Sequence, residues 1–208
     1  MFTPERINYY KRLYIYLAGV IDARSTISMN NRGSVAFAIR VNNKEDVDFF
    51  KEMYGMEFKP LKKLNGVYEY REYSNFALLQ RVKPFLVVRR LQVEYILKCV
   101  ENKEKIDIDT VNSYNSGAKF RPQPPIVVTL TEDEFLIWLS AFIKYHANIK
   151  DEFIEINHLS RELLELIKDR LNLNVVIGKK SERNNYLRIK DREDIKRIKE
   201  LVNSHGLT

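Results

Sequence analysis

The sequence predicts an α+β protein built from two pseudo-symmetric copies of an α-β-β-α-β-β-α unit, each forming an antiparallel sheet. Three observations carry this prediction. Stretches with helical apolar spacing are interspersed with short runs of strict polar–apolar alternation. A stretch rich in Asn, Ser and Pro separates two such series. Three segments also recur in the same order: Leu17–Ile21 with Leu139–Ile143 at an offset of 122, Val41-Asn42 with Ile156-Asn157 at 115, and Asn65-Gly66-Val67 with Asn184-Asn185-Tyr186 at 119. The drift in offset predicts a first hairpin 7 residues shorter in the second copy.

In the first copy, Leu13, Tyr16, Leu17, Val20 and Ile21 place a helix over 9–23. Ser25–Met29 and Val35–Val41 alternate on either side of Asn30-Asn31-Arg32-Gly33 and predict a hairpin with Val35, Phe37, Ile39 and Val41 on its buried face. Asn43 caps a helix through Tyr54 that stops at Gly55. Asn65-Gly66 turns a second hairpin between Met56–Leu64 and Val67–Tyr73. Ser74 caps helical material to Leu86, and Arg89–Asn102 reads as a further helix.

Residues 103–125, with Asn112–Gly117 and Pro122, Pro124 and Pro125, read as a connection. The division is 1–104, a linker at 105–125, and 126–208. In the second copy Thr131 and Glu134 form a capping box for a helix to His146. Phe153–Asn157 reads as a strand, and Ser160 caps a helix to Leu171. Asn174–Lys180 and Tyr186–Lys190 flank a turn at 182–185, and Arg192–Ser204 is the last helix, closed by Gly206.

The 208 residues carry 35 Lys+Arg against 28 Asp+Glu, a net charge of +7. Residues 1–104 hold +6 of it, 105–125 hold +1 and 126–208 are balanced. A polyanion is therefore the first partner to consider, with the first copy supplying most of the attraction. The single cysteine, Cys99, excludes an intramolecular disulfide and a Cys-rich zinc site, and fits a reducing, intracellular setting. It lies beside Ile96, Leu97 and Val100 and reads as core. No signal-peptide pattern or membrane-length apolar run is present. Nor is there a phosphate-binding loop, a nucleophile elbow or a His-Glu-x-x-His pair, and His146, His158 and His205 lack metal-ligand spacing.

Leu17-Ala18-Gly19-Val20-Ile21-Asp22-Ala23-Arg24-Ser25 resembles the LAGLIDADG signature of homing endonucleases over its first seven positions, with Val20 for leucine. Together with the duplicated element order, it resembles the compact monomeric members over essentially the whole chain. The resemblance implies two motif helices crossing at the centre, with Leu17, Ala18 and Gly19 against Leu139, Ser140 and Ala141; small residues there let backbones approach. It also implies that the two sheets form a saddle over duplex DNA and read its major groove. On alternation, the outward residues are Thr26, Ser28, Asn30, Ala36, Ala38, Arg40, Tyr186, Arg188 and Lys190, with Arg71 and Glu69 opposing Tyr68 and Tyr70 or the reverse. Arg32, Lys59, Lys62, Lys63, Lys179, Lys180 and Arg183 sit in or beside the hairpins where phosphates would pass.

The resemblance also implies an acid at the eighth motif position of each copy, holding divalent metal for strand cleavage. Here those positions are Arg24 and His146, and the sixth positions are Asp22 and Lys144. A guanidinium removes ligation and adds repulsion. Arg24 is instead a candidate phosphate contact. The expectation is a monomeric, sequence-specific duplex-DNA binder without catalytic residue, metal or cofactor, in the role of a regulator or a domesticated homing endonuclease. Three alternatives stand beside it: an RNA-binding splicing factor (a maturase), an endonuclease whose metal site is rebuilt from Asp22, Asp151 or Glu152, and a protein-interaction module favoured by acidic Glu152 and Glu155.

Overall fold

Helix α1 (Pro4–Arg24) starts more than a turn before the predicted Tyr9. Its apolar spacing begins only at Leu13, and the preceding residues are exposed. Pro4 suits a first helical position, and Glu5 faces the positive end of the helix. The structure is a computed structural model that describes residues 4–29, 35–62, 64–73, 76–114, 126–181 and 184–204.

Strands β1 (Ser25–Met29) and β2 (Val35–Val41) pair antiparallel, Ser25 opposite Ile39 and Met29 opposite Val35. The turn predicted between them lies outside the described residues. Helix α2 (Lys44–Tyr54) has its predicted ends: the Asn43 side chain accepts from the Asp46 N–H, and Gly55 closes it at φ 65°, a left-handed conformation that favours glycine.

The second hairpin is shorter than predicted. β3 is only Lys59–Pro60, against β4 (Tyr68–Tyr73). Pro60 has no N–H for a ladder. Beyond it, backbone bonds Leu61 to Val67, Leu64 to Leu61 and Val67 to Leu64 wind the chain into turns. The helical stretch predicted to Leu86 divides into α3 (Ala77–Val82) and a 3₁₀ turn, Lys83–Phe85, where Pro84 cannot continue an α-helix. The predicted cap Ser74 lies outside the described residues. Helix α4 (Arg90–Glu101) follows.

Residues 103–125 hold an unpredicted helix, α5 (Ile108–Ser113). It forms because Val111 is fully buried and its carbonyl accepts from Gln92 Nε2 at 3.0 Å. Residues 115–125 lie outside the described part.

The second series is α6 (Glu132–His146), β5 (Asn148–Ile149), β6 (Ile154–His158), α7 (Arg161–Arg170), β7 (Ile177–Ser181), β8 (Asn184–Ile189) and α8 (Arg192–Ser204). Both halves of the Thr131–Glu134 capping box form. The two-residue β5 was too short to read from alternation. β7 begins three residues later than predicted, and Val176 before it is exposed. Gly206 lies outside the described residues.

The sheets have the same topology, β1-β2-β4-β3 and β5-β6-β8-β7. One hydrophobic core runs through both repeats, including Phe37, Phe50, Trp138, Phe142 and Ile156. Its centre is the packing of α1 on α6, the most extensive contact between elements. Leu17, Ala18, Leu139, Ser140 and Ala141 are buried there. A Cβ on Gly19 would lie 2.2 Å from the Trp138 carbonyl oxygen and 2.9 Å from Ala141 Cβ. Gly19 and Ala141 are equivalent by the offset of 122, so the two repeats meet across matching small residues. Cys99 is buried, as predicted.

Candidate nucleic-acid interface

Cross-strand register arranges the face of each sheet that turns away from the helices into rows. In the first sheet these are Ser28–Ala36–Tyr73, Thr26–Ala38–Arg71 and Arg40–Glu69–Lys59. In the second they are Asn157–Tyr186–Gly178 and Asn148–Glu155–Arg188. The intervening side chains, among them Phe37, Ile39, Ile156 and Leu187, are buried against the helices. Alternation therefore settles the orientation of β4: Glu69 and Arg71 face outward, while Tyr68 and Tyr70 pack on the core.

Each outer face holds one carboxylate enclosed by cations. Glu69 accepts from Arg40 Nε at 2.8 Å through one oxygen and from Arg71 Nε at 2.8 Å through the other. Glu155 accepts from Arg188 Nε at 2.6 Å and Asn157 Nδ2 at 2.9 Å, with Lys180 Nζ at 3.5 Å. The Asn157 amide and then Arg188 and Lys180 hold the Glu155 carboxyl below the usual carboxylate range, against the opposing effect of burial. Arg188 also lies 5.2 Å from the Phe153 ring centroid and 5.7 Å from that of Tyr186. Tyr186 itself lies across Gly178, where a Cβ would meet its ring at 2.2 Å.

At the motif-helix ends the chemistry is cationic and neutral. Asp22 is buried and accepts four N–H bonds: from the backbone of Val87 (2.8 Å), Val88 (3.1 Å) and Arg89 (2.8 Å), and from Trp138 Nε1 (2.9 Å). Burial pushes its carboxyl up, and those donors oppose the shift. His146 Nε2 lies 2.6 Å from the Asn157 carbonyl, so that nitrogen is a donor. Burial lowers the His146 pKa against the pull of the Asn157 and Ala23 carbonyls, and Arg24 and Arg89 lower it further. Lys144 turns aside to Asp46, at 3.6 Å, beside the Phe49 and Tyr145 rings. Arg24 is exposed, and no ion pair engages it among the described residues.

These groups do not suit a divalent cation. A hard ion needs several free oxygen ligands, whereas Asp22 is buried with three donors on Oδ2 and one on Oδ1, and its neighbours are a guanidinium and a donor nitrogen. Asp151 pairs with Lys199 at 2.8 Å, and with Glu152 it lines a groove shared with Lys190, Arg192 and Lys196. Asp22, Asp151 and Glu152 therefore do not gather into a site. Among the described residues no three His, Cys, Asp or Glu side chains group to hold a metal.

Of the residues singled out from sequence, Thr26, Ser28, Arg40, Lys59, Arg71, Lys180, Tyr186 and Arg188 share the two outer faces, and exposed Lys190 directly follows β8. Ala36 and Ala38 point the same way but are only 5% and 3% exposed, because a methyl is overshadowed by Thr26, Ser28, Arg71 and Tyr73 in the same rows. Lys179 belongs to the opposite row, His158–Asn185–Lys179, at the sheet edge. Lys62 is in the turn beyond β3. Asn30, Arg32, Lys63 and Arg183 lie outside the described residues. Sequence reasoning missed Tyr73 and the role of both glutamates. The signal for the glutamates was present, since the repeat offsets pair Arg40 with Glu155 and Glu69 with Arg188.

No family model and no curated protein matches the sequence. Solved structures do match the fold. I-SmaMI bound to uncleaved DNA in the presence of calcium ions superposes with a TM-score of 0.65 at 16% identity, over 94% of this chain and 85% of that one. The I-LtrWI LAGLIDADG homing endonuclease bound to target DNA gives 0.63 at 16%, over 94% and 84%. The LAGLIDADG meganuclease I-AabMI bound to uncleaved DNA gives 0.61 at 13%, over 94% and 84%. The two repeats, their sheets and their central helix pair thus have the LAGLIDADG homing-endonuclease fold.

Proposed function

We propose that the chain binds double-stranded DNA sequence-specifically through the outer faces of its two sheets and does not cut it. The observation that carries this reading is the pair of motif-helix ends. They present Arg24 and a His146 nitrogen committed to a carbonyl, while the nearby acid, Asp22, is buried and already accepts from four N–H donors. Such a centre attracts a phosphate and repels the metal that a nuclease of this fold would need. Structures that share the fold are bound to DNA, which supports a duplex as the ligand. The first repeat (1–104) and the second (126–208), joined through 105–125, then each cover half of a site in a monomer, consistent with a regulator or a domesticated endonuclease. Glu155 does not argue for a protein partner, because Arg188 and Lys180 neutralise it.

Titration of labelled duplex DNA and structured RNA at several salt concentrations tests the reading. Duplex binding with a steep negative salt slope is expected. Preference for RNA, or no binding at low salt, would overturn it. Incubation of plasmid libraries with Mg²⁺ or Mn²⁺ is expected to leave them uncut, and a specific double-strand break would reject the non-cutting assignment.

A further inference from the structure

The enclosed glutamates govern how arginines are presented. Both Arg40 and Arg188 are held at Nε, 2.8 and 2.6 Å from a carboxylate oxygen, and Arg188 Nη2 also contacts Glu155. Docking on the Nε side leaves one hydrogen on each terminal nitrogen, along the outer edge of the guanidinium. Two parallel N–H bonds from that edge match guanine O6 and N7 in the major groove. The carboxylates are almost wholly covered, at 7% side-chain exposure, while Arg40 and Arg188 remain 44% and 43% exposed. The acids are therefore buttresses under the arginines. Lysine could not replace either arginine, because it has no fork.

The sense of the two pairs is reversed. The offset of 115 that aligns β2 with β6 places Arg40 at Glu155, and the offset of 119 that aligns β4 with β8 places Glu69 at Arg188. The register agrees, since Arg40 is opposite Glu69 and Glu155 is opposite Arg188. Arg71 of β4 also docks on Glu69 through Nε but gives a further hydrogen bond to Tyr73, so the fork left to read a base rises from β2 in one repeat and from the equivalent of β4 in the other. A two-fold protein reads a palindrome by presenting identical groups at dyad-related positions. These two forks break that equivalence.

Building on the duplex-DNA reading, we infer that Arg40 and Arg188 are guanine-specifying residues, that Glu69 and Glu155 position them, and that their two guanines are not dyad-related in the target. The recognised site carries a G·C pair in each half and departs from palindromy at that step.

Selection of bound sequences from a random duplex pool tests this, using the wild type, Arg188→Lys, Glu155→Gln and the exchange Glu155→Arg with Arg188→Glu. The wild-type consensus should contain one guanine per half-site, off the dyad relation. Arg188→Lys should erase only the second preference and weaken binding to the wild-type consensus roughly 10- to 100-fold. Glu155→Gln should relax the same preference with non-specific binding retained. The exchange keeps the ion pair, and so the fold, but should move the second guanine into the dyad-related position. A consensus that these variants leave unchanged overturns the inference while the DNA-binding reading stands. Failure to enrich any duplex overturns both.

Discussion

Arg24 and His158 show how single side chains set the behaviour of the central region. Arg24 is an exposed cation at the end of α1 that engages no ion pair among the described residues. Arg24→Ala is therefore expected to leave thermal unfolding unchanged and to reduce the salt slope of duplex binding by about one, the signature of one lost phosphate contact. His158 is buried, accepts from the Ser160 N–H at Nδ1 (3.0 Å) and faces His146 and Arg89. Desolvation first, and then the two nearby bases, lower its pKa from 6.5 to about 4. The folded state thus holds it neutral while the unfolded chain takes up a proton. Its contribution is intact above pH 6.5, declines between 6.5 and 4, and levels off below. The loss is ~3 kcal/mol. Urea unfolding of wild type and His158→Asn at pH 7 and pH 4.5 checks this, with the variant expected to lack that share of the decline. At this scale the sequence was legible where one residue decides one position: the acids missing at Arg24 and His146, the caps Asn43 and Thr131. It was not legible for Asp22, whose four donors come from residues 65 to 116 positions away.

Among elements, the contact of α1 with α6 is the least tolerant. A methyl at Gly19 would meet a backbone oxygen, which cannot rotate away. Gly19→Ala should cost about 2–3 kcal/mol by forcing the helices apart, read as a lowered melting temperature. Ala141→Gly, at the equivalent position facing it, removes a methyl and should cost about 1 kcal/mol through helix propensity. Elements with strong local signals were readable: α2 between Asn43 and Gly55, α6 behind its capping box, and the β1–β2 hairpin from its alternation. Those missed depend on tertiary partners. β5 is two residues held by β6, and α5 exists because Val111 fills a core position beneath Gln92. β3 was overread because the Asn65-Gly66 turn signal takes no account of the ladder donor missing at Pro60.

For the molecule as a whole, charge and symmetry disagree usefully. The repeats share a topology, yet the excess positive charge lies in the first, +6 for residues 1–104 against zero for 126–208. Reversal of Arg40, Lys59 and Lys62 to glutamate is therefore expected to weaken duplex binding more than reversal of Lys180, Arg188 and Lys190, each triple containing one of the two guanine-reading arginines. Fluorescence anisotropy at fixed salt reads the difference, and equal losses would contradict it. The duplication itself was legible from three short correspondences. The outward faces were only partly so, because period-two alternation assigns a direction but not the height of a side chain above its neighbours, as Ala36 and Ala38 demonstrate.

Asp22 belongs to the first repeat, yet one of its four donors, Trp138, belongs to the second. A half-molecule ending before α6 would strand that carboxylate short of a partner and strip α1 of its apolar cover. Separating the two repeats should therefore yield two insoluble fragments instead of two small proteins.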